Sequence, residues 1–284
     1  MRYAVTGSTG HLGRLVIDRL LDTVAPGDII AIARTPEKAS DLAERGVVVR
    51  EGDYDRPDTL GPALEGVDRL LLVSASKPGE RARQHRAVID AAVAEGVGRL
   101  VYTSILHADT SEIGLAEEHR QTEADIASSG LPHAFLRNGW YTENYTGSAG
   151  DAVQHGTVLG SAGDAAVAPA TRADLAEAAA AVLIQDDPGQ TVYELAGTPF
   201  TMPQYAAELA AQSGKEVVYS DLSEENYRAA LQDMGLPEPV ARMIAQADAA
   251  AADGALYDDS GDLSRLINRR PTPLSAAVSD ALGG

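Results

Sequence analysis

Residues 1–21 read MRYAVTGSTGHLGRLVIDRLL. A short apolar run, Arg2 to Thr6, leads directly into Gly7, Gly10 and Gly13, spaced G-x-x-G-x-x-G. From His11 to Leu21 the apolar residues Leu12, Leu15, Val16 and Leu20 recur on adjoining helical faces. Strand, glycine turn and helix in this order form the context of a dinucleotide-binding loop. Gly7 permits the tight turn, Gly10 lets the backbone approach a pyrophosphate, and Gly13 lets helix and strand pack closely. The start of the helix offers unpaired N–H groups and a positive dipole end to phosphates.

The same alternation continues downstream. Asp28–Ala33, Val47–Glu51, Arg69–Ser74, Arg99–Thr103 and His133–Arg137 are short apolar runs. Helical patterns lie between them at Pro36–Arg45, Asp58–Leu64, Glu80–Glu95 and Ala116–Ser128. Unalternating apolar strands suit a sheet buried on both faces. Strands alternating with helices predict an α/β fold with a doubly wound, mostly parallel Rossmann sheet. Its ligands are expected at the carboxyl ends of the strands, near the switch point. From about Asn138 the pattern becomes irregular, with strands expected at Thr191–Leu195 and Glu216–Tyr219 and helices at Met202–Gln212, Glu224–Asp233 and Pro239–Ala252. The expectation is a nucleotide-binding domain over 1–137, to which later segments can return, and a smaller mixed α/β lobe over 138–284 that supplies the substrate pocket.

The strand ends suggest which nucleotide. The second strand ends AIAR, placing Arg34 where an NAD site usually carries an acid for the ribose hydroxyls. An arginine there accepts the 2′-phosphate of NADP, and Lys38, four residues on, adds a second positive charge. Asp53, after the third strand, either accepts from the adenine amino group or caps its own turn. Ser74, Ala75 and Ser76 follow the fourth strand, where small residues admit the ribose. Thr103 and Ser104, in the fifth, are expected toward the nicotinamide end.

Composition narrows the function. With 284 residues the chain can bury a substantial core, and its net charge of −19 argues against binding nucleic acid or an anionic membrane. No run is long enough to span a membrane, no leader pattern opens the chain, and there is no cysteine. A cytoplasmic enzyme is expected. Its six histidines show no metal-binding spacing. The residues four before the three lysines are Arg34, Val73 and Ala211, so the Tyr-x-x-x-Lys pair of short-chain dehydrogenases does not occur.

The G-S-T-G-H-L-G loop, the AIAR–TPEK segment and the missing Tyr-Lys pair resemble the NmrA-like atypical short-chain dehydrogenases. ILHADTSEIGLAEEH (105–119), FLRNGWYTENY (135–145), ATRADLAEAAA (170–180), YELAG, SGK and DDS (258–260) extend the likeness over nearly the whole chain, to the bacterial type 2 NAD(P)H:quinone oxidoreductases. The resemblance implies an NADPH-dependent reductase acting on a small-molecule quinone. It implies cofactor contacts from Gly7, Ser8, Thr9, Gly10, His11, Leu12 and Gly13, from Arg34, from 74–76, and from Asn138, Gly139, Trp140, Tyr141, Thr142 and Glu143. Ala75 departs from the serine usual there, which puts a side-chain bond in doubt but leaves a backbone contact.

Several residues keep two readings. Asn138 either bonds the carboxamide or ribose or ends its strand in a turn. Trp140 and Tyr141 either line a slot for flat rings or fill the core. Arg172 opens a helix and touches cofactor or substrate, or is a surface residue. Ser104, His107, Trp140 and Tyr141 are the candidate substrate residues, while His107 and His119 are either proton donors or structural. Glu117 and Glu118 read as a solvated helix face. No catalytic acid or base is assigned, because a quinone accepts hydride from a nicotinamide without one. The alternatives are a sensor of the same family that binds NADP without turnover, and a dye reductase of the same fold.

Overall fold

The structure, a computed structural model, describes residues 1–75, 77, 79–186 and 191–283. In chain order the first elements are β1 (Tyr3–Val5), α1 (His11–Leu20), β2 (Ile29–Ala33), α2 (Ser40–Glu44), β3 (Val48–Glu51), α3 (Leu60–Leu64), β4 (Arg69–Leu72), α4 (Arg81–Ala94), β5 (Arg99–Ile105), α5 (Ala116–Ser128) and β6 (His133–Asn138). There follow α6 (Glu143–Thr146), α7 (Ala149–His155), β7 (Thr157–Gly160), β8 (Ala166–Val167), α8 (Arg172–Ile184), β9 (Val192–Leu195), β10 (Phe200–Thr201), α9 (Met202–Ser213), β11 (Val218–Asp221), α10 (Glu224–Asp233), α11 (Glu238–Ala249), α12 (Asp262–Leu266) and α13 (Leu274–Leu282).

A seven-stranded sheet runs in the order β3-β2-β1-β4-β5-β6-β9. The pairings of β1 with β2 and β4, of β2 with β3, and of β4 with β5 are parallel. Strand order reverses between β1 and β4, so the switch point follows the first strand, at the glycine loop. The physical reason is visible in the burial: every residue of β2, β4 and β5 is buried, as a sheet covered on both faces requires. α1 turns Leu12, Val16, Ile17 and Leu20 inward, an amphipathic stripe at helical spacing.

The chain divides into two compact units, one of Met1–Ala108, Glu117–Arg137 and Arg172–Tyr193, the other of Asp109–Ala116, Asn138–Thr171 and Glu194–Gly284. The first has a core from Ala4, Ile30, Ile32, Leu70, Leu72, Val88, Ile89, Leu100 and Tyr102. α8 returns to this unit and packs along α1. Its C-terminal carbonyls are held by Arg69 and Arg99, register partners at the starts of β4 and β5. Arg69 Nη1 donates to Leu183 O (3.0 Å) and Gln185 O (2.9 Å), and Arg99 Nη1 to Val182 O (3.2 Å) and Gln185 O (3.1 Å). Cations at the negative end of a helix are favourable there.

The second unit has its own core, with Val158, Val167, Phe200, Tyr205, Leu209 and Leu256 among its buried members. β8 and β10 form an antiparallel ribbon and β7 and β11 a parallel one. α9 opens on a capping box, in which Thr201 accepts from Gln204 N and the Gln204 side chain accepts from Thr201 N. Among the described residues, no helix is long and apolar enough to cross a membrane.

Candidate functional site

The glycine loop has the geometry its composition suggests. Gly7 adopts φ +59°, a left-handed conformation that favours glycine. A side chain at Gly13 would collide with the Gly7 carbonyl, so α1 packs against the loop only because position 13 has none. A Cβ at Gly10 would stand 3.2 Å from Gly7 O. Gly10 is the N-cap of α1 and supplies no side-chain cap. Among the described residues the first N–H groups of the helix, at His11, Leu12 and Gly13, have no acceptor, as the start of a helix leaves them. Ser8 is buried within this loop. Its Oγ donates to Ile32 O at 2.9 Å, tying the loop to β2, so only its backbone remains for a ligand. Leu12 is buried in the core, whereas Thr9 and His11 are exposed.

Arg34 directly follows β2 and is exposed, and among the described residues no hydrogen bond or ion pair engages its guanidinium. Lys38 stands in a 3-10 turn, Pro36–Ala39, and not on the helix expected over 36–45, which begins only at Ser40. Its ammonium is likewise without an acid, while its carbonyl accepts from Arg14 Nη2 at 3.1 Å. The acid close by, Asp41, is paired with Arg14. The end of β2 thus carries two uncommitted cations in a protein of net charge −19. Asp53, after β3, caps its own turn, with Oδ1 accepting from Asp55 N at 3.0 Å.

The ends of β4 and β5 are cross-linked inside the protein. Thr6 Oγ1 accepts from Val73 N (2.9 Å) and from the Tyr54 hydroxyl (2.6 Å), and donates to Leu71 O (3.2 Å). Thr103 Oγ1 accepts from Ser74 N at 2.8 Å. Ser104 Oγ donates to Glu123 Oε1 at 2.6 Å, and Glu123 forms a buried ion pair with Arg137 at 2.9 Å. The hydroxyls of Thr103 and Ser104 thus each have a partner within the first unit, Thr103 as acceptor and Ser104 as donor. A buried charge pair needs such extra bonds to satisfy its remaining lone pairs. Ser76 lies outside the described residues.

Beneath the loop after β4 lies a polar cluster that sequence reading missed. Ala75 N donates to His85 Nε2 at 2.9 Å, and Arg81 Nε donates to Ala75 O at 3.0 Å. His85 Nδ1 stands 3.0 Å from Thr122 Oγ1, whose own hydroxyl donates to Glu118 O at 2.8 Å. His85 is therefore the neutral Nδ1–H tautomer. Burial, helped by the Arg81 charge, holds its pKa down at about 3. Glu118 is no solvated helix residue: it accepts from Gly79 N and from Arg81 Nη1, at 2.9 and 3.0 Å. The available signal was spacing, since Arg81 with His85, and Glu118 with Thr122, sit four residues apart on single helix faces.

His119 is buried with its Nδ1 2.7 Å from the Tyr102 hydroxyl. Burial first, then Arg81 and His85, push its pKa well below the ordinary histidine value. Burial raises the Tyr102 phenol. Burial thus favours the neutral form of both groups, which fits the structural reading of His119. His107, following β5, has φ +52°. Arg172 opens α8 in the first unit.

In the second unit, Gly139 N donates to Leu195 O at 2.8 Å, and a Cβ at position 139 would lie only 3.0 Å from that oxygen. Trp140 packs against the second core and stays partly exposed, as does Tyr141, which bridges to Ala170. Thr142 is buried, with its N–H on Ala170 O. Glu143 starts α6. Asn138, the last residue of β6, is 6% exposed, and its Oδ1 is buried without a partner. A buried amide oxygen left unpaired is costly.

Comparison with known proteins decides the family. A family model described as NAD(P)H-binding matches residues 7–186. The chain belongs to that family. It is 51% identical over 277 residues to quinone oxidoreductase 2 of Escherichia coli K12, covering 97% of each chain. Its structure matches that of the NADPH-dependent quinone oxidoreductase from Escherichia coli complexed with NADPH, with TM-score 0.96, 50% identity, and 99% and 100% of the two chains covered. A triphenylmethane reductase from Citrobacter, also solved with NADP(H), matches with TM-score 0.94, 39% identity, and 98% and 99% coverage.

Proposed function

We propose that this chain reduces quinones with NADPH, passing hydride directly from nicotinamide to quinone. The observation that carries this reading is the full-length likeness to the Escherichia coli quinone oxidoreductase, together with the LRNGWYTENY stretch at 136–145. The residues present fit the cofactor. The glycine loop and the open N-terminus of α1 would hold its pyrophosphate. Arg34 and Lys38 would take its 2′-phosphate, a role that an acid at the end of β2 would forbid. Asn138 Oδ1 would accept from the carboxamide or ribose. Ala75, with no polar side chain, would contribute through its backbone. When bound, the nicotinamide supplies the hydride, and water supplies the proton that completes the hydroquinone.

The protein's own task is then chiefly positional. Trp140 and Tyr141, partly exposed beside each other, offer flat surfaces for a ring, and His107 is the remaining polar residue assigned to the substrate. Tyr102, His119, Thr103 and Ser104 are engaged with protein groups, which fits a reaction without a dedicated side-chain acid.

A second reading, reduction of triphenylmethane dyes, is favoured only by the Citrobacter match. Residues 104–111, SILHADTS, resemble the quinone enzymes more closely. Steady-state oxidation of NADPH with a quinone, with a triphenylmethane dye, and with neither separates the readings. Quinone-dependent turnover that exceeds dye-dependent turnover is expected. Tight NADPH binding with no turnover on either acceptor would instead indicate a sensor.

A further inference from the structure

We propose that Arg81 and His85 are positioning residues for the dinucleotide: they clamp the Ala75 residue at both its N–H and its C=O so that the backbone after β4 stands ready for the cofactor. This rests on the cofactor reading above. Ala75 lies three residues beyond β4, the strand next to β1 at the point where the sheet order reverses. That is where a doubly wound sheet binds its ligand. Because residue 75 is alanine and its N–H is taken by His85, a polar contact from it to a ligand must come from the second lone pair of its carbonyl, whose aim depends on what fixes the peptide.

The fixing groups are independent of the ligand. His85 and Arg81, one turn apart on α4, reach the two polar groups of Ala75, at 2.9 and 3.0 Å. Both side chains are buried, Arg81 at 6% and His85 at 0% exposure. α5 braces them in turn: Thr122 orients the imidazole, and Glu118 pairs with Arg81 while holding Gly79 N. Two helices therefore converge on one loop residue through four side chains. The arrangement fixes the imidazole tautomer as well as its place, since only an unprotonated Nε2 accepts from the Ala75 N–H.

The test is NADPH titration and steady-state kinetics on His85→Leu, His85→Gln and Arg81→Met, with melting temperatures alongside. The Gln amide oxygen can occupy the place of Nε2 and accept from Ala75 N. Removing the acceptor leaves the part-buried Ala75 N–H unpaired and the loop residue unclamped, so H85L should weaken NADPH binding by about tenfold or more. Turnover at saturating NADPH should change by less than about threefold, and H85Q should recover binding to within about threefold of the wild type. R81M should behave like H85L. Wild-type affinity in H85L, with only a lowered melting temperature, would overturn the proposal. Should H85L and R81M fail to fold, nitrogen-15 resonances of the wild-type protein decide. Saturating NADPH should shift the Ala75 amide strongly while His85 stays the Nδ1–H tautomer, and an unmoved Ala75 amide would overturn the clamp. If the wild type itself binds no NADPH, the cofactor reading fails and the proposal with it, a result distinct from failure of the clamp alone.

Discussion

Tyr102 and His119 are bonded to one another, hydroxyl to Nδ1 at 2.7 Å, from the middle of β5 to α5, with both residues buried. A tyrosine and a histidine so placed belong to the framework beneath the site. Tyr102→Phe and His119→Ala, and His107→Ala as well, should therefore each lower turnover by less than tenfold, below the ~10²–10⁴ expected on loss of a general acid. The first two should lower the melting temperature, because each leaves a buried polar partner behind. A thousandfold loss of turnover with NADPH affinity intact would reveal a dedicated proton donor.

Arg34, just after β2, and Lys38, in the turn that follows, have no acidic partner among the described residues of an acidic protein. Removing Arg34 should cost a charge-assisted bond of roughly 1.5–3 kcal/mol, about one to two decades in NADPH affinity. Arg34→Ala should leave NADH nearly unaffected. Equal weakening of both nucleotides in paired titrations would show that Arg34 does not read the 2′-phosphate.

The glycines make separable predictions. Gly10→Val adds bulk over the loop and should abolish NADPH binding with native circular dichroism preserved. Gly13→Ala places a methyl against the Gly7 carbonyl and should lower the melting temperature as well as the affinity. Unchanged NADPH affinity in the Gly10 variant would remove that residue from the site.

Stability should depend on pH through the buried histidines. His85 is held down at about 3 and His119 well below its ordinary value, whereas an unfolded histidine titrates near 6.5. Below that value the unfolded chain binds more protons than the native one, so stability rises with pH and is lost as pH falls toward the folded values. Urea midpoints should fall between pH 7 and pH 5, where ordinary carboxylates still remain largely ionised, and the fall should be shallower in H85Q. A midpoint flat over that interval would contradict the neutral burial of these rings.

The parts legible in sequence are those fixed by local pattern. The β1–glycine–α1 unit has its strand, turn and helix in consecutive residues, and α5 and α10 occupy 116–128 and 224–233 as their spacing predicts. The short elements of the second unit were illegible: β8 and β10 have two residues each, too few for any periodicity, and exist through pairing with each other. The return of α8 to the first unit depends on Arg69 and Arg99 reaching carbonyls 83 to 116 residues away. At the site, the place of Arg34 just after β2 was legible from the strand pattern, but the burial of Ser104 on Glu123 and the His85 contact to Ala75 depend on which helix covers which strand end.

Direct hydride reduction of a quinone is tested most directly by mixing NADPH-loaded protein with quinone in a single turnover, using NADPH and NADPH deuterated at the transferred position. The account predicts quinone-dependent oxidation of one NADPH per quinone reduced, slowed by the deuterium. Tight NADPH binding with no oxidation on addition of any quinone, or oxidation at a rate indifferent to the deuterium, would contradict it.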